Sequence, residues 1–351
     1  MRLMMREREP RWVAPAAIAV AVVVTVALTA IPIRLAGANP LAAFQRYLVT
    51  PLTSTSGLYE VLLTATPLLF TGIAVAIAFR VGYWNIGAEG QFLAGAIGTT
   101  AVGINFPGLP AAIALPLGFF AGAVGGLVWA TLPAWLKRHG GIDEVVTTLL
   151  LNPVALLLVQ GLLNGPWRNS STGFTDSDRL GHGFDLPAMI PGTRIHWGFG
   201  VAVLIVVLTW IVFTRTAVGV QIKATGLAPT AAQFSGVRVG RLQWRCALVS
   251  GAIAGLGGAS QVMGVQHQLT AGISNNYGYT GVIVATLAGL SAVGVLLVSV
   301  LLGDIAVGAQ NVSLVLQVPT QLGEIFGALL LVMVLSMLTW RRYRVSWRSP
   351  R

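Results

Sequence analysis

What most constrains this chain is a succession of apolar runs, each about long enough to cross a bilayer. The first extends from Trp12 to Ile33; others lie near 58–79, 86–104, 111–136, 144–163, 197–214, 245–264, 280–298, 300–317 and 322–340. A span takes roughly 20 apolar residues, so the pattern predicts about ten transmembrane helices. The division between 280–298 and 300–317, placed near Gly303, is marked by no charge cluster. Of 351 residues, 55% are hydrophobic and 9% charged, where a soluble domain carries roughly 25% charged residues. Too little polar surface remains to coat a soluble globule. The expected fold class is all-α: a polytopic membrane helix bundle forming a single domain over residues 1–351. A soluble enzyme, a disordered tail protein and a nucleic-acid binder are excluded. The net charge of +11 reads as loop charge, because the basic residues sit between the apolar runs.

Those charges set an orientation. The run beginning at Trp12 is longer than the 7–15-residue core of a secretory signal, so it reads as a retained anchor. With a cytoplasmic N-terminus (1–11) and ten spans, seventeen of the 22 basic residues fall inside. Five fall outside: Arg34, Arg46, Arg168, Arg179 and Arg194. The excess of positive charge on cytoplasmic loops places both termini, including 341–351, in the cytoplasm. The polar stretch 164–196 is then extracytoplasmic and the basic stretch 215–244 cytoplasmic. No soluble domain is left over, so function resides within the membrane or in short loops.

Several chemistries lack their residues. A single cysteine, Cys246, excludes an internal disulfide framework. His139, His182, His196 and His267 form no close pair at ligand spacing, which argues against a metal site. Lys137 and Lys223 are the two lysines, and neither follows a glycine, so there is no phosphate-binding loop of the Walker type.

Small and polar residues carry the remaining signal. Gly118–Gly122, Gly122–Gly126 and Gly251–Gly255 have GxxxG spacing, which lets helix backbones approach closely in lipid. The densest polar cluster is Trp84-Asn85-Ile86-Gly87-Ala88-Glu89-Gly90-Gln91. A carboxylate at membrane depth must face protein or water. Two readings of Glu89 stand side by side: part of a gate or translocation path, or a hydrogen-bonded brace for a broken helix. Asn152 is a further in-span polar residue. In the inner loop, Pro229 suits a first helical turn, Ala231 and Ala232 favour helix, and Gly236 suits the position beyond a helix end. The stretch Gly226–Gly236 therefore predicts a short helix carrying Phe234 as one apolar knob, either a spacer or a peg for a partner's groove.

These segments resemble a known family. Asn85-Ile86-Gly87-Ala88-Glu89-Gly90-Gln91 with Gly95, Gly141 to Asn152, Gly226 to Gly236, and Gly278-Tyr279-Thr280-Gly281 resemble, in order, four segments of permease subunits of ATP-binding-cassette importers. The subgroup is that for nucleosides and simple sugars, within the branched-chain amino acid and ribose-type permeases. The likeness runs from about 57 to 340. Ala228 stands where the family has asparagine, and Pro153 where an aromatic is common. The resemblance implies a type II-like importer permease that performs no chemistry itself and carries no cofactor, ATP and Mg being bound by the partner ATPase. It implies ATPase subunits below, a second permease, commonly a different chain, and an extracytoplasmic substrate-binding lipoprotein, all in or at the cell membrane. It makes Gly226, Pro229, Ala231, Ala232, Phe234 and Gly236 the element that couples to the ATPase. Trp84, Asn85, Glu89, Gln91 and Asn152 are the residues expected along the substrate path. The alternative is a carrier driven by an ion gradient, with Glu89, Asp304 and Glu324 as relays.

Overall fold

A computed structural model describes residues 2–5, 13–169, 173–317, 319, 321–340 and 343–346. The helices are α1 (Val13–Leu35), α2 (Pro40–Leu48), α3 (Thr50–Thr53), α4 (Thr55–Arg80), α5 (Ala88–Asn105), α6 (Ala111–Gly140) and α7 (Glu144–Asn164). After a long loop come α8 (Trp197–Arg215), α9 (Ala217–Leu227), α10 (Pro229–Phe234), α11 (Val239–Gln261), α12 (Tyr277–Leu287), α13 (Ala292–Leu316) and α14 (Gln321–Trp340). Two terminal strands, β1 (Arg2–Met5) and β2 (Tyr343–Ser346), pair antiparallel with Arg2 opposite Ser346.

Local chemistry accounts for the helix ends. Asp143 starts α7 by accepting from the Val145 amide at 2.7 Å, and Thr216 starts α9 by accepting from Gly219 at 3.2 Å. Gly141, at φ +62°, closes α6 in the left-handed region. Lys137, Arg138 and His139 occupy the last turn of α6, where positive charge suits the helix dipole.

The chain divides into two compact units, 62–301 and 1–61 with 302–351. In the larger unit α4 and α11 are buried, whereas α6, α7 and α8 expose most of their surface. The exposed face of α6 carries Ile113, Phe120, Val124, Val128 and Leu132, an apolar stripe suited to lipid. Helices α5, α6 and α11 meet through glycines. A Cβ added at Gly122 would lie 2.6 Å from Ala259 Cβ, and one at Gly126 would lie 2.8 Å from Gly255 Cα. Backbone contact of this kind is what the GxxxG spacing predicted. In the smaller unit α1 bends by 119° into α2. Tyr47 on α2 stacks on Phe326 of α14 with centroids 6.1 Å apart.

Length and apolarity alone mark fewer spans than the ten expected. Among the described residues six helices are long and apolar enough to cross a membrane, or seven if the bent α1–α2 pair is one span. The expected division near Gly303 does not exist, because α13 passes through it unbroken. The break falls at 288–291, where Gly289 and Leu290 have φ +60° and +58°. The run 280–298 is therefore a short helix, α12, and the start of α13. Hydropathy could not place this break, because both of its flanks are apolar.

Candidate functional site

Two stretches of non-helical backbone, ahead of α5 and ahead of α12, interrupt the larger unit, and α5 and α12 meet. The first interruption is residues 81–87. After α4 ends at Arg80, the chain climbs in non-helical backbone before α5 begins at Ala88. Its depth follows from its partners. Asn152 lies roughly 12 Å up α7 from Glu144, and Ser250 roughly 16 Å up α11 from Val239, at 1.5 Å per residue. Irregular backbone at that depth must have its polar groups satisfied by protein.

The polar residues of the segment do this. Asn85 exchanges hydrogen bonds with Gln91, its Nδ2 donating to Oε1 at 2.9 Å and its Oδ1 accepting from Nε2 at 3.1 Å. Asn85 Nδ2 also reaches Ser250 Oγ at 2.9 Å, and its Oδ1 accepts from the Gly87 amide at 2.9 Å. Ser250 in turn donates to the Ala74 carbonyl at 2.6 Å. Asn152 Oδ1 accepts from the Gly90 amide, the third residue of α5, and its Nδ2 donates to the Ile86 carbonyl, both at 2.9 Å. The Ile86 amide donates to Thr148 Oγ1 at 3.2 Å and the Trp84 amide to Glu144 Oε1 at 3.1 Å. Glu144 is held in turn by Lys137. Helix α7 thus caps α5 from outside, since Gly87 offers no side chain to do so.

The second interruption precedes α12. A π-helical turn (Val262–Gln266) ends α11, and His267 follows at φ +57°. Residues 267–276 then lead to α12, whose N-cap Asn276 has φ +61° and makes no side-chain cap. Glu89 takes that role. Its Oε2 accepts from the Gly278 amide at 2.7 Å, and its Oε1 accepts from Ser274 Oγ. The Tyr279 amide also donates to this carboxylate. A Cβ on Gly278 would collide with the backbone of Ala88 and Glu89, so glycine is required for the approach. A carboxylate at a helix N-terminus is favourable, as the helix dipole is positive there.

Of the residues expected along a path, Asn85, Glu89, Gln91 and Asn152 are therefore brought together and buried as braces. Trp84 is half-exposed and packs on Phe79 with centroids 4.7 Å apart. Ser274, Ser250 and Thr148 complete the cluster. They carry no sequence signal, since isolated serines and threonines occur throughout the chain. The Gly278–Gly281 segment was visible in the sequence, but its position against Glu89 was not.

The stretch 215–244 folds largely as helix. Pro229 is the first residue of α10, and Gly236 follows its end at φ +87°. Ala232 is buried, Ala231 is exposed, and Phe234 is 90% exposed. Gly226, at the end of α9, lies against the Arg80 carbonyl, and its added Cβ would come 3.5 Å from the Gly82 amide. Gln243 Nε2, on α11, donates to the carbonyls of Val81 and Gly82 at 3.4 Å each. Both helices flanking α10 therefore touch the start of the first interruption.

The described part of the connection between α7 and α8 is pinned to the second interruption. The Ser177 amide donates to Leu269 O at 3.0 Å and the Leu180 amide to His267 O at 2.9 Å. Asp185 pairs with His267 at 2.8 Å and His182 at 3.3 Å. His196, before α8, is buried against Gly264 and accepts from the Gly198 amide at 3.1 Å. Burial, with His267 alongside, pushes its imidazole down to about 4.

Comparison with known proteins agrees with this architecture. Residues 57–335 match the family described as branched-chain amino acid transport system / permease component. The glucose ABC transporter permease protein TsgB13 of Haloferax volcanii is 35% identical over 97% of this chain and 92% of that protein. The guanosine ABC transporter permease protein NupP of Bacillus subtilis is 34% identical over 79% of this chain and 80% of its own. The nucleoside ABC transporter permease protein NupB of Lactococcus lactis subsp. cremoris is 30% identical over 79% of each. With most of its length matched and its polar cluster built around interrupted membrane helices, this chain belongs to that family of transport permeases and is a multi-pass membrane permease subunit of an ABC transporter.

Proposed function

We propose that this permease carries a nucleoside or a related sugar-containing solute inward across the cell membrane, driven by a separate ATPase that docks on α10. The solute class rests on the relatives, whose names specify glucose, guanosine and nucleosides. The assembly in this reading has ATPase subunits beneath the permease, a second permease chain beside it, and an extracytoplasmic binding lipoprotein above. Both termini lie in the cytoplasm, ATP and Mg stay on the ATPase, and this chain needs no cofactor.

One observation carries the coupling assignment. Helix α10 presents Phe234 outward, while Gly226 and Gln243 on either side of it touch Arg80, Val81 and Gly82. A displacement of α10 by the ATPase has a short packed route to the 81–87 segment, and so to the braced junction with α12. Packed elements of this kind transmit small shifts as rigid-body changes. In this reading Asn85, Glu89, Gln91 and Asn152 position the moving backbone, and half-exposed Trp84 lies at the edge of the path.

The test is uptake of guanosine and of glucose by vesicles holding the whole complex. Uptake is expected to stop with a catalytically dead ATPase; undiminished uptake overturns the reading. Replacing Pro229, or the Ala231–Ala232 pair, by bulky charged residues is expected to uncouple hydrolysis from uptake. Unchanged coupling removes the docking role of α10.

A further inference from the structure

Beside the braced junction lies a polar surface that the bracing uses only in part: the Asn275 side chain is hydrogen-bonded to the Tyr277 hydroxyl, while Asn276 and Tyr279 lie exposed next to it. The backbone from His267 to Asn276 descends from the outer loop, where Leu180 bonds to His267, to Glu89, where Ser274 bonds to the carboxylate. Helix α12 then continues inward to Leu290, whose carbonyl accepts from Arg80 Nη1 at 3.0 Å. With 11 residues, α12 covers about 16 Å, roughly half of a 30 Å hydrocarbon core. Its start therefore lies near the middle of the membrane. There Asn275 and Asn276, at φ +42° and +61°, are exposed, and Tyr279 is 36% exposed.

Exposed amides on unwound backbone at that depth are not compatible with lipid, where each unsatisfied polar group costs several kcal/mol. They are compatible with a water-filled path, the setting in which transporters place interrupted helices. The chemistry of the patch is specific. Residues 270–287 contain no Asp, Glu, Lys, Arg or His, so the segment itself supplies no cation to hold a carboxylate or phosphate. The N-terminus of α12, which otherwise attracts anions, is already filled by Glu89. An asparagine amide both donates and accepts, as a hydroxyl does, and Tyr279 adds a phenol and an aromatic face.

We propose that Asn276 and Tyr279, with Asn275 held beside them by Tyr277, form a solute-contact site at mid-membrane for an uncharged, hydroxylated ring, the sugar unit shared by nucleosides and free sugars. This rests on the permease reading above. A hydrogen bond from such a site to a solute hydroxyl contributes roughly tenfold in affinity.

The experiment uses the complete transporter in proteoliposomes. Asn276→Cys and Tyr279→Cys are each treated with a charged methanethiosulfonate reagent; the native chain, whose one cysteine is buried, is the control. Both positions are expected to react, and guanosine or glucose is expected to protect them. Reaction only with a lipid-soluble maleimide, or with neither reagent, overturns the site. In parallel, Asn276→Gly, which tolerates the positive φ, and Tyr279→Phe are expected to raise the KM for uptake about tenfold. Protection and KM effects with guanosine alone identify a nucleoside, and with glucose alone a free sugar. An unchanged KM in both variants, with ATP-dependent uptake intact, overturns this site and leaves the permease reading standing. Absence of ATP-dependent uptake of either solute by the native complex overturns both.

Discussion

Asn152 shows how a single side chain holds broken backbone in a membrane. It satisfies one amide of α5 and one carbonyl of the preceding segment. Asn152→Ala leaves both groups buried and unpaired, at about 1–3 kcal/mol each. The expected result is a variant that unfolds at lower temperature in detergent, read by tryptophan fluorescence. An unchanged midpoint would show that water replaces the amide. His196 gives a pH dependence. Its folded pKa, about 4, lies below the unfolded value near 6.5. Between these values the unfolded chain binds the extra proton, so stability is complete above about pH 6.5 and falls as pH drops toward 4. Thermal midpoints measured from pH 7.5 to 4.5 check this. His196→Asn, which retains a cap acceptor ahead of Gly198, is expected to flatten the slope.

Helices α5, α6 and α11 depend on the absence of side chains. Gly255 packs with its added Cβ 3.0 Å from the backbone of Gly126, and Gly126 opposes Gly251 and Gly255 in turn. In lipid no hydrophobic effect draws the helices together, so close backbone packing is what associates them. Gly255→Leu is expected to abolish a monodisperse folded peak in size-exclusion chromatography, because backbone atoms cannot yield as a flexible side chain can. Gly161 has open space around it and serves as the control: Gly161→Ala is expected to elute as the native chain does. The GxxxG spacing was legible because small residues have no other common use at that density within apolar helices. The helix breaks were legible only in part. Asn85-Ile86-Gly87 marks the first by its polar and glycine content. The break at 288–291 lies among apolar residues, and the left-handed Leu290 that makes it carries no sequence signal.

At the scale of the molecule, β1 and β2 pair, which brings the two ends of the smaller unit together. Reporter fusions at the N- and C-termini are therefore expected to lie on the same side of the membrane, and the excess of basic residues predicts that side to be the cytoplasm. Opposite-side reporters would contradict the pairing. The apolar runs and sparse charge determined by themselves that the chain is a helical membrane protein, because uninterrupted apolar runs of roughly 20 residues fit bilayer-crossing helices, whereas a barrel strand takes about 9–11 residues. The ordered motifs determined its family. Tertiary structure decided what the motif residues touch. Glu89 reads equally as part of a gate or as a brace in the sequence, and only the fold brings Gly278 and Ser274, some 190 positions away, to its carboxylate. Hydrogen-bond partners so distant in the chain leave no periodic trace in it, and only the packing of α5 against α12 selects them.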